Sequence, residues 1–133
     1  MRKKSIRATV FMLLLVSLFS ASLVSAGATQ IRPMYTGVSS LTSGLTISSS
    51  GAATCGGRAS VRSGYTVDLT VELKQDGSTI KTWTSSGTSI VSAGGTYYVM
   101  SGHSYVVTTT ASVYDSNNHL VENPDKDSLV TYY

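Results

Sequence analysis

Apolar and polar residues alternate with a period of two over long stretches of this chain. In "YTVDLTVELK", Tyr65, Val67, Leu69, Val71 and Leu73 fall on one face, and Thr66, Asp68, Thr70, Glu72 and Lys74 fall on the other. Successive side chains of a strand point to opposite sides, so this segment predicts a strand with one buried face. Asp76-Gly77 follows, and a two-residue Asp-Gly linker is a strong hairpin signal because both residues tolerate positive φ. The returning segment, "TIKTWT", carries two large apolar residues of opposite parity, Ile80 and Trp83. Either one of them faces outward or a bulge intervenes. A second strong pattern is "SYVVTTTASVY", where Tyr105, Val107, Thr109, Ala111 and Val113 share a face. "DSNN" then reads as a turn and "HLVE" as the returning strand.

Weaker strand signals lie at Ile31–Tyr35, Leu45–Ser50, Ala52–Val61, Ser89–Ser92, Tyr97–Met100 and Leu129–Tyr133. In "GAATCGGRAS", Ala53, Cys55 and Ala59 supply small inward residues, and Gly56-Gly57 permit a bulge or close packing. No window shows helical periodicity, and neither a repeat nor a linker interrupts the chain. Eight or nine short strands predict a single all-β domain, an immunoglobulin-like antiparallel β-sandwich. A small β-barrel is the alternative.

"YYVMSGHSYVV" sharpens the prediction. A glycine followed by a tyrosine entering a Val/Thr-rich strand has the form of a tyrosine corner, in which the Tyr105 hydroxyl bonds to backbone a few residues upstream. The stretch resembles the corresponding part of fibronectin-type and other immunoglobulin-like domains. Together, "GAATCGG", "TVDLTVELKQDGSTIKTW" and "GHSYVVTTTASVY" resemble small secreted immunoglobulin-like β-sandwich proteins of Gram-positive bacteria that have no assigned function. The resemblance implies a fold and brings no catalytic residues with it.

The first 26 residues carry a different message. "MRKKSIR" is basic, "ATVFMLLLVSLF" is apolar, and "SASLVSAGA" is small-residue rich. This three-part order is that of a secretory signal peptide, with cleavage expected after Ala26 or Ala28. The apolar run is shorter than the roughly 20 residues a membrane span needs. The expected product is a secreted domain of residues 27–133, without stable membrane insertion. The net charge of +3 belongs to the leader, since removing residues 1–26 leaves six basic against seven acidic residues. No basic stripe remains for nucleic acid. A single cysteine cannot form an internal disulfide, so a disulfide-free domain must hold together by burial and hydrogen bonding.

Candidate chemistry is sparse. Cys55 with His103 or His119 as base would make a thiol nucleophile, but it sits in a predicted strand, where a free cysteine behaves as a small core residue. "GHSYV" lacks the last glycine of a nucleophile elbow, and a strand rather than a helix follows Ser104. His103, His119 and Cys55 lack metal-ligand spacing. The segment Asp115–Asp127 is oxygen-rich and could serve calcium or only turns. Trp83, Tyr97, Tyr132 and Tyr133 are the candidates for an aromatic binding surface suited to a protein or glycan partner. Tyr105 and Cys55 are assigned structural roles. The expected function is a secreted, non-catalytic binding or interaction module with no cofactor. The alternatives are a secreted thiol or serine hydrolase using Cys55 or Ser104, and a structural protein that self-associates through the uncharged edge "SLVTYY".

Overall fold

The computed structural model describes residues 35–133, which contain nine strands and no helix. The leader and all but one residue of the strand expected at Ile31–Tyr35 lie outside them, and Tyr35 itself is not in a strand. The strands are β1 (Val38–Ile47), β2 (Ala52–Val61), β3 (Thr66–Gln75), β4 (Ser78–Gly87), β5 (Ile90–Tyr98), β6 (Ser104–Tyr114), β7 (Leu120–Glu122), β8 (Asp125–Asp127) and β9 (Thr131–Tyr132).

Every pairing is antiparallel. One sheet has the order β1-β2-β5, and the other runs β4-β3-β6-β7 with β8 and β9 also on β6. The two sheets do not hydrogen-bond into a closed ring, so the fold is a sandwich and not a barrel. The constant-type immunoglobulin arrangement places the fourth strand beside the fifth, in a four-on-three sandwich. Here β4 pairs with β3, and three strands face the larger sheet.

Several boundaries differ from the sequence expectation. Of Leu45–Ser50 only Leu45–Ile47 is strand, as the end of the longer β1, and Ile90–Ser92 and Tyr97–Tyr98 are two parts of the single β5. Gly94-Gly95 reads as an interruption in the sequence but stays within the strand. The Gly94 φ of 144° is open to glycine, and a side chain at Gly95 would meet the Trp83 indole nitrogen at 2.7 Å. Leu129–Tyr133 contributes only Thr131–Tyr132, and β8 has no counterpart in the apolar pattern because its residues are all charged.

Local chemistry accounts for the connections. Asp76 (φ 48°) and Gly77 (φ 88°) both adopt positive φ, as a two-residue type I′ hairpin requires. Leu73 pairs with Lys81 and Lys74 with Thr79, so Ile80 is an extra, unpaired residue. That bulge resets parity. Ile80 and Trp83 therefore both pack against the same core cluster.

The core lies between the inner rows of the sheets. Val67, Leu69, Val71 and Leu73 of β3 and Tyr105, Val107, Thr109, Ala111 and Val113 of β6 are fully or almost fully buried. The opposing row of β2 is small: Ala53, Cys55, Gly57 and Ala59. Small residues facing Val and Leu let two pleated surfaces interdigitate at interior density. At the centre Ser43 donates to the Val107 carbonyl oxygen at 2.8 Å, and Thr109 donates to Ser43 at 3.0 Å. This polar contact and Gly57 divide the core into two apolar clusters. Among the described residues no buried side-chain nitrogen or oxygen lacks a partner.

Candidate functional site

Strand register assembles the most chemically loaded end of the sandwich. Gln75 pairs with Tyr105, so the β3–β4 turn lies beside the start of β6. There Asp76 donates its backbone N–H to the Ser104 carbonyl oxygen at 2.9 Å. Its carboxylate in turn accepts the Ser104 N–H at 3.0 Å and the Ser104 hydroxyl at 3.2 Å on Oδ1. Oδ2 meets Nδ1 of His103 at 2.5 Å. The Ser104 amide first, and the His103 ring second, hold the Asp76 carboxyl below its ordinary value. The His103 ring also sits edge-on to Tyr105, 6.4 Å between centroids.

The chain terminus closes on the same loop. The Tyr133 carbonyl oxygen accepts the N–H groups of Gly102 and His103, and the Tyr133 N–H donates to the His103 carbonyl oxygen at 3.2 Å. The Tyr133 ring packs on the second core cluster, and its hydroxyl donates to the Ser49 carbonyl oxygen at 3.1 Å. Tyr132, one residue earlier, points out and is 80% exposed. Asp76, Gly102, His103, Ser104, Tyr132 and Tyr133 line an open depression of about 500 Å³.

An aspartate, a histidine and a serine in contact resemble a hydrolytic triad in composition, but their connections differ. A triad needs the nucleophile bonded to the imidazole and the imidazole oriented by the carboxylate. Here the carboxylate bridges the other two, and the Ser104 hydroxyl donates to Asp76 instead of to a histidine. The arrangement fixes the turn and presents the imidazole, half-buried, to the depression.

The four aromatic candidates do not share one surface. Tyr132 and Tyr133 meet at the depression. Trp83 and Tyr97 lie on β4 and β5, in the rows that face the other sheet. Trp83 is half-buried over Gly95, with the Lys81 ammonium 6.0 Å from its ring centroid. The Tyr105 hydroxyl donates to the Met100 carbonyl oxygen at 2.5 Å, which is the tyrosine-corner bond. Burial pushes its pKa up.

Cys55 is only 3% exposed, and its thiol is pushed up to about 11 by burial. Its one hydrogen bond reaches the Ala53 carbonyl oxygen at 3.8 Å. A protonated, enclosed thiol is a poor nucleophile. His119 is exposed, 4.0 Å from Asp115.

Four side chains of the oxygen-rich segment Asp115–Asp127 are committed to internal hydrogen bonds. Asp115 accepts the N–H groups of Asn117 and His119, Asn123 accepts the Ser112 hydroxyl, and Asp127 accepts the Thr108 hydroxyl. Glu122 accepts the N–H groups of Thr36, Gly37 and Val38, tying down the start of β1. Arg62 binds the carbonyl oxygens of Tyr35 and Thr36 from the other side. Among the described residues no three of His, Cys, Asp and Glu gather into a metal-binding group.

The Asp76–His103 pair was not anticipated from sequence, because 27 residues separate its members. The signal was present in the two strongest strands. Pairing "YTVDLTVELK" and "SYVVTTTASVY" antiparallel sets the Asp-Gly turn beside "GHS".

Fold and site together define an antiparallel β-sandwich of a three-stranded and a six-stranded sheet with one polar, tyrosine-lined end. Compared with protein-family models and with curated proteins, the chain matches none.

Proposed function

We propose that the protein is a secreted, non-catalytic binding module that engages an extracellular protein or glycan through the end built by Asp76, His103 and Tyr132. One observation carries this reading. Tyr132 leaves an aromatic ring 80% exposed beside a pre-ordered imidazole–carboxylate pair. Exposed tyrosine supplies contact area at small entropic cost, and a few fixed polar groups beside it supply orientation. The depression is open, which suits a ligand with an extended face. The signal-like leader puts such a surface outside the cell.

The test is a glycan array and a panel of purified surface proteins, probed with the secreted form. Any ligand retained is then measured against Tyr132→Ala and His103→Ala, each checked for an unchanged circular dichroism spectrum. Both variants are expected to weaken binding by roughly tenfold or more, as truncation of an interface anchor does. Ligands that bind both variants as tightly as the parent would place recognition elsewhere.

A further inference from the structure

The two sheets treat their exposed edges differently. Unpaired edge strands invite pairing with another chain, and proteins blunt them with short strands, charges, proline or bulges. Both edges of the larger sheet carry such devices. One is broken into β7, β8 and β9, of three, three and two residues, with Pro124 between the first two and the run Asp125-Lys126-Asp127. The other, β4, has the Ile80 bulge and the exposed Lys81. The edge expected at "SLVTYY" is therefore the most fragmented of all.

The smaller sheet carries no charge on either edge strand. β1 ("VSSLTSGLTI") and β5 ("IVSAGGTYY") have ten and nine residues and no Lys, Arg, Asp or Glu. They differ in what they show to solvent. The outer face of β1 holds Ser40, Thr42, Gly44 and Thr46, whereas β5 exposes Ile90 at 55% and Tyr98 at 73%. β5 also pairs with β2 without a register shift.

Backbone parity shows which groups are free. The Val99 N–H donates to the Gly51 carbonyl oxygen, and the Val61 N–H donates to the Ser89 carbonyl oxygen. In an antiparallel ladder alternate residues turn their N–H and C=O toward the partner. The odd-numbered residues of β5 therefore face β2, and Ile90, Ser92, Gly94, Thr96 and Tyr98 direct theirs to the open edge.

We infer that β5 is a self-pairing edge, and that its occupant is the β5 strand of a second copy. The placement of side chains argues for a second copy over an unrelated peptide. Ile90 and Tyr98 sit on one face, four residues to either side of Gly94. A two-fold axis at Gly94 sets Ile90 against Tyr98 of the partner subunit, and Ser92 against Thr96 of the partner subunit. The two largest exposed apolar residues of the strand are then opposite each other twice, as an aromatic–β-branched cross-strand pair. The axis passes a glycine, and no charge meets its own copy. Five even-numbered positions exchange roughly ten backbone hydrogen bonds. The result is a continuous sheet β1-β2-β5 joined to its symmetry mate, an isologous contact that closes at the dimer.

The experiment is sedimentation equilibrium of the secreted form across a hundredfold concentration range, with a charge swap to read the register. The parent is expected to sediment as a monomer–dimer equilibrium. Ser92→Lys with Thr96→Lys sets like charges opposite one another and is expected to weaken the dimer by roughly tenfold or more. Ser92→Glu with Thr96→Lys sets opposite charges there and is expected to restore it. These substitutions lie on the solvent face, so an unchanged Tm separates loss of pairing from loss of fold. A parent that stays monomeric throughout would overturn the inference. So would a dimer indifferent to the Lys/Lys pair, or one abolished instead by Leu129→Lys in the terminal segment.

Discussion

Replacing Gly57 by alanine should cost this domain far more than the same change at its neighbour Gly56. The backbone at Gly57 has an ordinary φ, so the obstacle is space. A Cβ there would stand 2.3 Å from Oγ1 and 2.5 Å from Cγ2 of Thr109, and 2.7 Å from Cγ2 of Val71. Both neighbours are β-branched and stiff at χ1, and both lie on central strands of the facing sheet. Room can come from separating the sheets, or from turning Thr109 and breaking its 3.0 Å bond to Ser43. Overpacking a tight core costs about 1–3 kcal/mol, and the lower unfolded-state entropy of alanine offsets about 0.4–1 kcal/mol. The net loss is about 1–2 kcal/mol, or about 5–15 °C in Tm for a domain of this size. Gly56, the next residue, faces outward with nothing within 4 Å of its would-be Cβ. Gly56→Ala should therefore leave Tm unchanged or slightly raised. The assay is urea and thermal unfolding of both variants beside the parent. Equal stability of Gly57→Ala and Gly56→Ala would refute the account of the core as a small-residue row pressed against a large one.

Three further outcomes follow from named contacts. Cys55 in the native protein should react with a thiol reagent at least roughly tenfold more slowly than in urea at pH 8, because its thiolate is both suppressed and enclosed; equal rates would contradict its burial. Tyr105→Phe should lower stability by about 0.5–1.5 kcal/mol, the usual worth of one hydrogen bond, seen as a lower urea midpoint with an unchanged slope. Asp76 titrates lower in the fold than in the unfolded chain, so its charged form adds stability above the ordinary carboxylate range near 3.9. That increment disappears as pH falls through the depressed value. Asp76→Asn should flatten the acid limb of the stability–pH curve, and the effect should be small because the group is exposed to water.

Much of the fold was legible because two strands place an apolar residue or threonine at every second position over long runs. Val67–Leu73 of β3 and Tyr105–Val113 of β6 carry only apolar residues or threonine on their inner faces, and the Asp-Gly turn and the Gly102–Tyr105 corner announce themselves in short motifs. What was not legible shares one cause: its meaning depends on a residue far away in sequence. Gly94-Gly95 looks like a break until the Trp83 indole is found lying over Gly95. The parity clash of Ile80 and Trp83 is settled by pairing with β3, which leaves Ile80 as an unpaired bulge residue. On the fragmented edge β7 lies within "HLVE" and β9 within Leu129–Tyr133, whereas the charged β8 has too few residues for any periodicity to register. The aromatic candidates were grouped by type, and register divides them between two parts of the molecule. The Asp76–His103 pair is the clearest case, since each residue alone reads as ordinary turn chemistry and only the β3–β6 alignment joins them.

The claim that the working surface is the Asp76–His103–Tyr132 end is tested most directly by mapping a bound ligand on the intact protein. The ligand retained from the binding screen would be titrated into ¹⁵N-labelled secreted protein, and amide shifts followed residue by residue. Perturbations should concentrate at Asp76, Gly102, His103, Ser104, Tyr132 and Tyr133, and be lost in Tyr132→Ala. Shifts centred on the outer face of the smaller sheet, or around Cys55, with that end unmoved, would contradict it.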